Sequence, residues 1–323
     1  MSVASKKQTP IRIGSRGSQL ALWQANFVLE ELRTAGYEAE IEVIRTTGDR
    51  MQQPGFVLSP DADGKGIFIK EIEEALAEGR IDLAVHSLKD LPTQIAPRFT
   101  LTAIPRRADA RDAWVCESYW ALHTLPLGGK VGTTSPRRKA QLLALRPDIE
   151  FVELRGNIDT RLNKLAGGQC DALVLAAAGL DRLKRTEWVH YRFSPEELCP
   201  APGQGALAIE TRNALHPIDE NRDRFVRQAL APLDHLETRF CVEAERVTLD
   251  VLGGGCSLPV GVHCVPEYEK WRMFAQVVAP DGEAMVQVDI EMPFSMDAEA
   301  LGHAVAEELK SKGAIDLLSP SAM

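Results

Sequence analysis

The sequence contains one cysteine that stands directly after a run of glycines. Residues 252–261 read LGGGCSLPVG, and the cysteine is Cys256. Because glycine loses more backbone entropy on ordering than any other residue, this is a costly way to place one thiol. The glycines leave the sulfur unobstructed, whereas the C-terminus of the predicted helix before them does not lower a thiol pKa. The pattern favours an attachment point over an activated nucleophile. The competing interpretation is a small buried apolar residue.

Basic residues recur just past the ends of predicted strands. In an open α/β sheet the ligand crevice lies outside the carboxyl ends of the strands, where helix N-termini also present free N–H groups. Side chains at these junctions can therefore converge on one ligand, although solvated surface charge is the alternative for any single residue. A crevice lined by cations in a chain of net charge -9 points to a small polyanionic ligand. The residues concerned are Arg16, Lys89, Arg137, Arg138, Arg155, Arg161 and Arg182.

Two of these arginines open one predicted helix. Arg137 and Arg138 follow Ser135 and Pro136, and a cation in the first turn faces the positive end of the helix dipole. That position is unfavourable by about 0.3–1 kcal/mol for an exposed cation, and a bound anion would reverse the sign. Hydroxyl groups are supplied by Thr133, Thr134 and Ser135. The segment predicts a clamp for carboxylate or phosphate, which guanidinium groups bind bidentately.

One acidic residue stands among these cations. Asp90 directly follows Lys89 after the predicted strand IDLAVHSL. It could form a salt bridge or cap the turn before Pro92. It could also be a carboxylate that its neighbours keep ionised, ready to pair with a developing positive charge or to exchange a proton.

Composition narrows the classes of function. The negative net charge and an aromatic content of 6% argue against a nucleic-acid-binding protein, which needs basic stripes and stacking platforms. No apolar run is long enough to span a bilayer, so we expect a cytoplasmic protein without a membrane partner. The cysteines lack a CxxC pair and the histidines lack an HExxH spacing, so we expect free thiols and no metal site.

The order of apolar and helical patterns predicts an α/β fold. Over the first two thirds of the chain, short apolar runs alternate with helical patterns, which favours largely parallel strands. From about Pro232 the pattern changes to a long helix, a hairpin around PDG and a closing amphipathic helix, which indicates a smaller α+β domain. The segment Gly48 to Gly64 has no sustained period and is predicted to be a long loop that acts as a lid.

Eight segments in this order resemble the porphobilinogen deaminase (hydroxymethylbilane synthase) family. The resemblance extends from about Arg12 to the C-terminal helix. It implies two doubly wound domains of the periplasmic-binding-protein type and an α+β domain that carries the cofactor. The implied boundaries are 1–105 with 206–227, 106–205, and 228–323. The segments are RIGSRGSQLALWQA, GKGIFIKEIEEAL, DLAVHSLKDLP, VGTTSPRR, LRGNIDTRLNKL, LAAAGLDRL, PAPGQGALAIE and LGGGCSLPVG.

The resemblance also implies roles for individual residues. Cys256 would hold a dipyrromethane cofactor through a thioether, and the implied catalytic residues are Asp90, the catalytic aspartate, and Lys89 beside it. The implied cofactor-binding residues are Cys256, Lys89, Asp90, Ser135, Arg137, Arg138 and Arg161. The implied substrate-binding residues are Arg16, Ser18, Lys65, Phe68, Thr133, Thr134, Arg155, Arg161, Arg182 and Gln204.

The activity implied by the resemblance is a transferase reaction of tetrapyrrole biosynthesis. Four porphobilinogen units, each with an acetate and a propionate, would condense with loss of ammonia to give the linear hydroxymethylbilane, and a monomer is favoured. One alternative is a two-domain binding protein for a small carboxylate ligand, which the strand-end arginines alone would permit. Another is a transferase that uses Cys256 as a transient nucleophile.

Overall fold

The computed structural model describes residues 9–46, 69–255 and 258–318. Within these ranges the strands are β1 (Ile11–Ser15), β2 (Ala39–Val43), β3 (Leu83–Ser87), β4 (Phe99–Ala103), β5 (Asp112–Cys116), β6 (Lys130–Gly132), β7 (Glu150–Val152), β8 (Ala172–Ala176), β9 (Val189–Arg192), β10 (Leu207–Arg212), β11 (Val260–Glu267), β12 (Lys270–Val278) and β13 (Met285–Pro293). The α-helices are α1 (Gln19–Thr34), α2 (Lys70–Ala77), α3 (Pro136–Leu145), α4 (Ile158–Ala166), α5 (Ala177–Arg182), α6 (Glu220–Leu230), α7 (Leu236–Val251), α8 (Ala298–Ser311) and α9 (Ala314–Leu318).

The chain folds into two compact units, and it passes between them more than once. The first unit contains the chain up to His86, Ile95–Pro105 and Leu207–His235. The second contains Ser87–Gln94, Arg106–Ala206 and the chain from Leu236 onward. The short segment Ser87–Gln94, which includes Lys89 and Asp90, therefore belongs to the second unit although the chain on both sides of it belongs to the first. The three-domain division at the boundaries given above stays a prediction.

The first unit is built on a sheet whose described strands have the order β2-β1-β3-β10-β4. β1 pairs in parallel with β2 and β3, whereas β10 and β4 are antiparallel. Apolar side chains fill both faces, with Ile13 and Val28 in one cluster and Ile72 and Ile81 in the other. Ser18 caps α1 by accepting a hydrogen bond from the Ala21 N–H.

A second sheet of the same type lies in the second unit, with the described order β7-β6-β8-β5-β9. β6 is parallel to β7 and β8, and β5 is antiparallel to β8 and β9. Separate apolar clusters cover its two faces, one around Trp114 and one around Leu173. The prediction of largely parallel strands was therefore only partly right. β4, β5 and β10 flank the crossings between the two units, so they are not bound by the crossover helices that enforce parallel pairing.

The C-terminal part of the second unit has the predicted α+β organisation. β11, β12 and β13 form an antiparallel sheet, and the PDG turn joins β12 to β13. α7 and α8 pack on one face of this sheet around Val262, Met273 and Val305. The predicted fold class, α/β with two doubly wound sheets and a smaller α+β part, is confirmed. In the described ranges, no helix has the length and apolar character needed to cross a membrane.

Candidate active site

A cavity of about 260 Å³ in the second unit brings many of the predicted residues together. Both polar and apolar side chains line it. α3 contributes its N-terminal arginines, the 3-10 turn Leu88–Asp90 contributes an amine and a carboxylate, and the segment after α7 contributes backbone. The lining residues are Lys89, Asp90, Thr134, Ser135, Arg137, Arg138, Ala201, Pro202, Gln204, Leu249, Gly255, Leu258 and Val260.

The two arginines of α3 are buried against one internal carboxylate, Asp112. Nη2 of Arg137 lies 2.7 Å from Oδ2 of Asp112, and Nη2 of Arg138 lies 2.6 Å from Oδ1. Burial opposes ionisation of Asp112, but the charges of Arg137 and Arg138 outweigh it and hold the pKa of this carboxyl far below its usual range. The anion that offsets two cations at a helix N-terminus is thus part of the protein. Two guanidinium groups share one carboxylate, so positive charge remains in excess.

The shared carboxylate makes Asp112 a sensitive position for stability. In Asp112→Asn, two buried guanidinium groups lose their counter-charge, which costs about 3–5 kcal/mol for a broken buried ion pair. We expect a correspondingly lower free energy of unfolding in urea denaturation. Asp148→Asn is the matched control because Asp148 also binds an arginine, Arg146, with two short hydrogen bonds, but at the surface. Equal losses in the two variants would contradict the assignment.

Gln204 connects this ion cluster to Lys89. Its Nε2 donates to Asp112 Oδ1 at 2.9 Å and to the Ala110 carbonyl at 2.7 Å, and its Oε1 accepts from Lys89 Nζ at 3.2 Å. Burial of the amine, together with the charge of Arg138, lowers the pKa of Lys89 to about 8. A bound carboxylate would favour the charged form of Lys89 and raise that pKa.

A second buried ion pair fixes the backbone that carries Gln204. Glu245 of α7 accepts from Arg107 at 2.6 and 3.0 Å and from the Gly203 N–H at 2.7 Å. The same carboxylate accepts from the Cys264 N–H of β11 at 2.8 Å. The turn before β10, helix α7 and strand β11 are therefore joined at one buried carboxylate.

Other predicted residues of the second unit lie outside the described lining of the cavity. Arg161 is nevertheless close enough to interact electrostatically with two lining residues, because Arg138 repels its charge and Asp90 attracts it. Burial and the charge of Arg138 lower the pKa of Arg161. Arg182 donates to the Gly205 carbonyl at 2.7 Å, next to Gln204, and burial lowers its pKa to about 10. Thr133 is buried and accepts from the Ser135 N–H, and Arg155 is exposed.

The remaining predicted residues belong to the first unit or lie outside the described residues. Arg16 and Ser18 lie in the first unit, where Ser18 is the N-cap of α1. Lys65, Phe68, Cys256 and the predicted Gly48 to Gly64 loop lie outside the described residues. Gly255, which immediately precedes Cys256, lines the cavity.

Sequence reasoning missed Asp112, Arg107 and Glu245, which hold the site together without being strand-end cations. A usable signal existed for Asp112. It opens the apolar strand DAWVC, all of whose residues are buried, and an acidic residue in such a strand requires a cationic partner. No such signal marks Glu245, because it sits in a helix with several other charged residues.

Comparison with known families decides the assignment. The family model for the porphobilinogen deaminase dipyrromethane cofactor binding domain matches residues 11–220, and the model for the porphobilinogen deaminase C-terminal domain matches residues 239–311. The chain belongs to the porphobilinogen deaminase family. As a porphobilinogen deaminase it is a transferase, a hydroxymethylbilane synthase of tetrapyrrole biosynthesis, and its cofactor is dipyrromethane.

Solved structures similar to this porphobilinogen deaminase include bacterial lipoproteins. A putative methionine-binding lipoprotein from Bacillus subtilis is 12% identical, with a TM-score of 0.42, and the alignment covers 69% of this chain and 90% of the lipoprotein. A YaeC-family lipoprotein from Enterococcus faecalis is 14% identical, with a TM-score of 0.39 and coverage of 69% and 92%. Immunogenic lipoprotein A from Vibrio vulnificus is 10% identical, with a TM-score of 0.41 and coverage of 69% and 95%. Similarity at this level does not bear on function.

Proposed function

We propose that the cavity in the second unit is the active site of this porphobilinogen deaminase. The observation that carries the proposal is that Lys89, Asp90, Arg137 and Arg138 line one cavity together with Gly255. Cations suit the acetate and propionate groups of a pyrrole ligand, and one carboxylate among them suits a pyrrole N–H. The residue after Gly255 in the sequence is Cys256, the proposed attachment point of the cofactor.

The residues present fit a dipyrromethane. Lys89, Arg138 and Ser135 offer donors for its carboxylates, while Leu249, Leu258 and Val260 offer apolar surface for its rings. The Nε of Arg137 is buried and, among the described residues, finds no hydrogen-bond acceptor, which a ligand oxygen would supply. When bound, the dipyrromethane supplies the terminal pyrrole carbon to which the first substrate is joined.

Asp90 is assigned the catalytic role. Its carboxylate is exposed at the cavity, where it can accept a hydrogen bond from the N–H of a substrate pyrrole. Loss of ammonia from porphobilinogen leaves positive charge on the ring, and a carboxylate beside the N–H stabilises that charge more strongly than it stabilises the uncharged substrate. Lys89, Arg137 and Arg138 hold the carboxylates of the dipyrromethane, which keeps its terminal ring beside Asp90.

The substrate is the small molecule porphobilinogen, and further substrate contacts are proposed for Arg16, Ser18, Lys65, Phe68, Thr133, Thr134, Arg155, Arg161, Arg182 and Gln204. We propose that the protein acts as a cytoplasmic monomer and that it binds no nucleic acid. The chain carries a net charge of -9, which does not favour contact with a phosphate backbone.

The function is tested by following turnover and protein mass together. Purified protein incubated with porphobilinogen should release one ammonia for each unit consumed. Its intact mass should show a covalent pyrrole adduct before the reaction and the same adduct after the product has left. Binding without ammonia release would support the carboxylate-binding alternative. An adduct that disappears with each turnover would support Cys256 as a transient nucleophile.

A further inference from the structure

The turn that carries Asp90 is held from one side by helix α7. Residues Ser87–Gln94 pack with the second unit, while the chain before and after them belongs to the first. A segment of this length needs its own anchors, because neither neighbouring stretch fixes it within the second unit. Lys89 is bound by Gln204, and the anchors of the part after Asp90 lie on α7, the helix that leads to the glycine run before Cys256.

Arg246 and Asp250 make the contacts. Nη2 of Arg246 donates to the carbonyl oxygens of Pro92 and Thr93 at 2.7 and 2.8 Å. Asp250 accepts from Thr93 Oγ1 at 2.7 Å and from Gln94 Nε2 at 3.3 Å. Residues four apart on a helix share one face, so a single face of α7 binds both the backbone and the side chains of this segment.

The C-terminal end of α7 leads directly to the glycine run 253–255 before Cys256, which we call the cofactor-attachment loop. α7 ends at Val251, and a side chain at Gly254 would begin 3.3 Å from Thr93 Oγ1, so the glycine run passes close to the segment after Asp90. Gly255 then lines the cavity together with Asp90. One rigid helix thus fixes the distance between the turn that carries the carboxylate and the loop that leads to Cys256.

We propose that Arg246 and Asp250 are positioning residues that set the carboxylate of Asp90 relative to the cofactor-attachment loop. This inference rests on the catalytic role proposed for Asp90. The physical reason is that a carboxylate stabilises developing charge only at the right place, and a displacement of about 1 Å can cost about 100-fold in rate. Neither residue needs to touch the substrate.

Arg246→Met is the first test, since it keeps the apolar stem of the side chain and removes the donors. We expect kcat to fall about 10-fold, with KM within about twofold of the original value and full loading of the cofactor. Arg246→Lys should restore part of the rate. Arg239→Met is the matched control on the same helix, because Arg239 pairs with Glu243 at 3.0 Å, and its kcat should stay near the original value.

A double-mutant cycle on kcat, with Arg246→Met and Asp90→Asn alone and combined, separates positioning of Asp90 from general destabilisation. If Arg246 acts through Asp90, Arg246→Met should slow the wild-type enzyme but leave the residual rate of Asp90→Asn almost unchanged. The inference would be overturned if Arg246→Met left kcat unchanged. It would also be overturned if Arg246→Met lowered the rate of Asp90→Asn by the same factor as it lowers the rate of the original protein.

Thr93→Val keeps the test decisive if Arg246→Met does not fold. It removes one hydroxyl without changing side-chain shape, and a fall in kcat at unchanged KM is again expected. An unaltered kcat would count against the inference. Full activity in Asp90→Asn itself would instead remove the role proposed for Asp90, so the two failures are distinguishable.

Discussion

Asp90→Asn should leave the fold and the bound cofactor intact and lower kcat by about 100-fold or more. The substitution keeps the size of the side chain and removes its charge, so the hydrogen bond to a pyrrole N–H is weakened where positive charge develops. Asp90 is exposed and lines the cavity, so little change in stability is expected. Because the lost interaction strengthens in the transition state, kcat should fall far more than KM rises.

The measurement combines steady-state consumption of porphobilinogen with intact-protein mass. Asp316→Asn, which removes an exposed carboxylate on α9, is the control and should behave like the original protein. A kcat within a few-fold of the original value in a fully loaded Asp90→Asn preparation would remove Asp90 from the catalytic role.

Cys256→Ser is expected to yield protein without a covalent pyrrole adduct and without turnover. A serine hydroxyl is a far poorer nucleophile than a thiolate, so the thioether proposed to hold the dipyrromethane cannot form. The described cysteines, Cys116, Cys170, Cys199, Cys241 and Cys264, are free and buried. Burial raises the pKa of Cys170 to about 11 and raises that of Cys199 as well, which makes these thiols poor substitutes.

Intact-mass spectrometry of freshly purified protein reads out the result directly. Cys170→Ser is the matched control, and it should still carry the adduct. An adduct on Cys256→Ser would show that another cysteine is the attachment point, and peptide mapping of that adduct would identify it.

Much of the site was predictable because its chemistry follows local rules. Arg137 and Arg138 stand in the first turn of a helix that begins at Pro136, as the sequence predicted, and the structure adds that Ser135 is its N-cap. Lys89 and Asp90 directly follow a strand and line the same cavity as the two arginines. The two pairs follow strands of different sheets, so a shared sheet edge does not bring them together. They line one cavity because the segment Ser87–Gln94 belongs to the second unit, which also contains α3.

The partners of these residues were not predictable in the same way. Asp112, which binds both arginines, precedes them by 25 and 26 positions, and Glu245 lies 138 positions from Arg107. Pairings over such separations depend on how sheets and helices pack, which no local pattern records. The antiparallel strands β4, β5 and β10 were missed for the same reason, because their direction is set where the chain crosses between units.

The sequence by itself determined the fold class, the family and the chemical type of each candidate residue, since periodicity, capping and ordered motifs are local properties. Only the tertiary structure decided that Asp112 is the anion that pairs with Arg137 and Arg138, and that α7 binds the segment after Asp90 through hydrogen bonds. Both are contacts between distant parts of the chain, and their strength comes from burial, which exists only once the chain has folded.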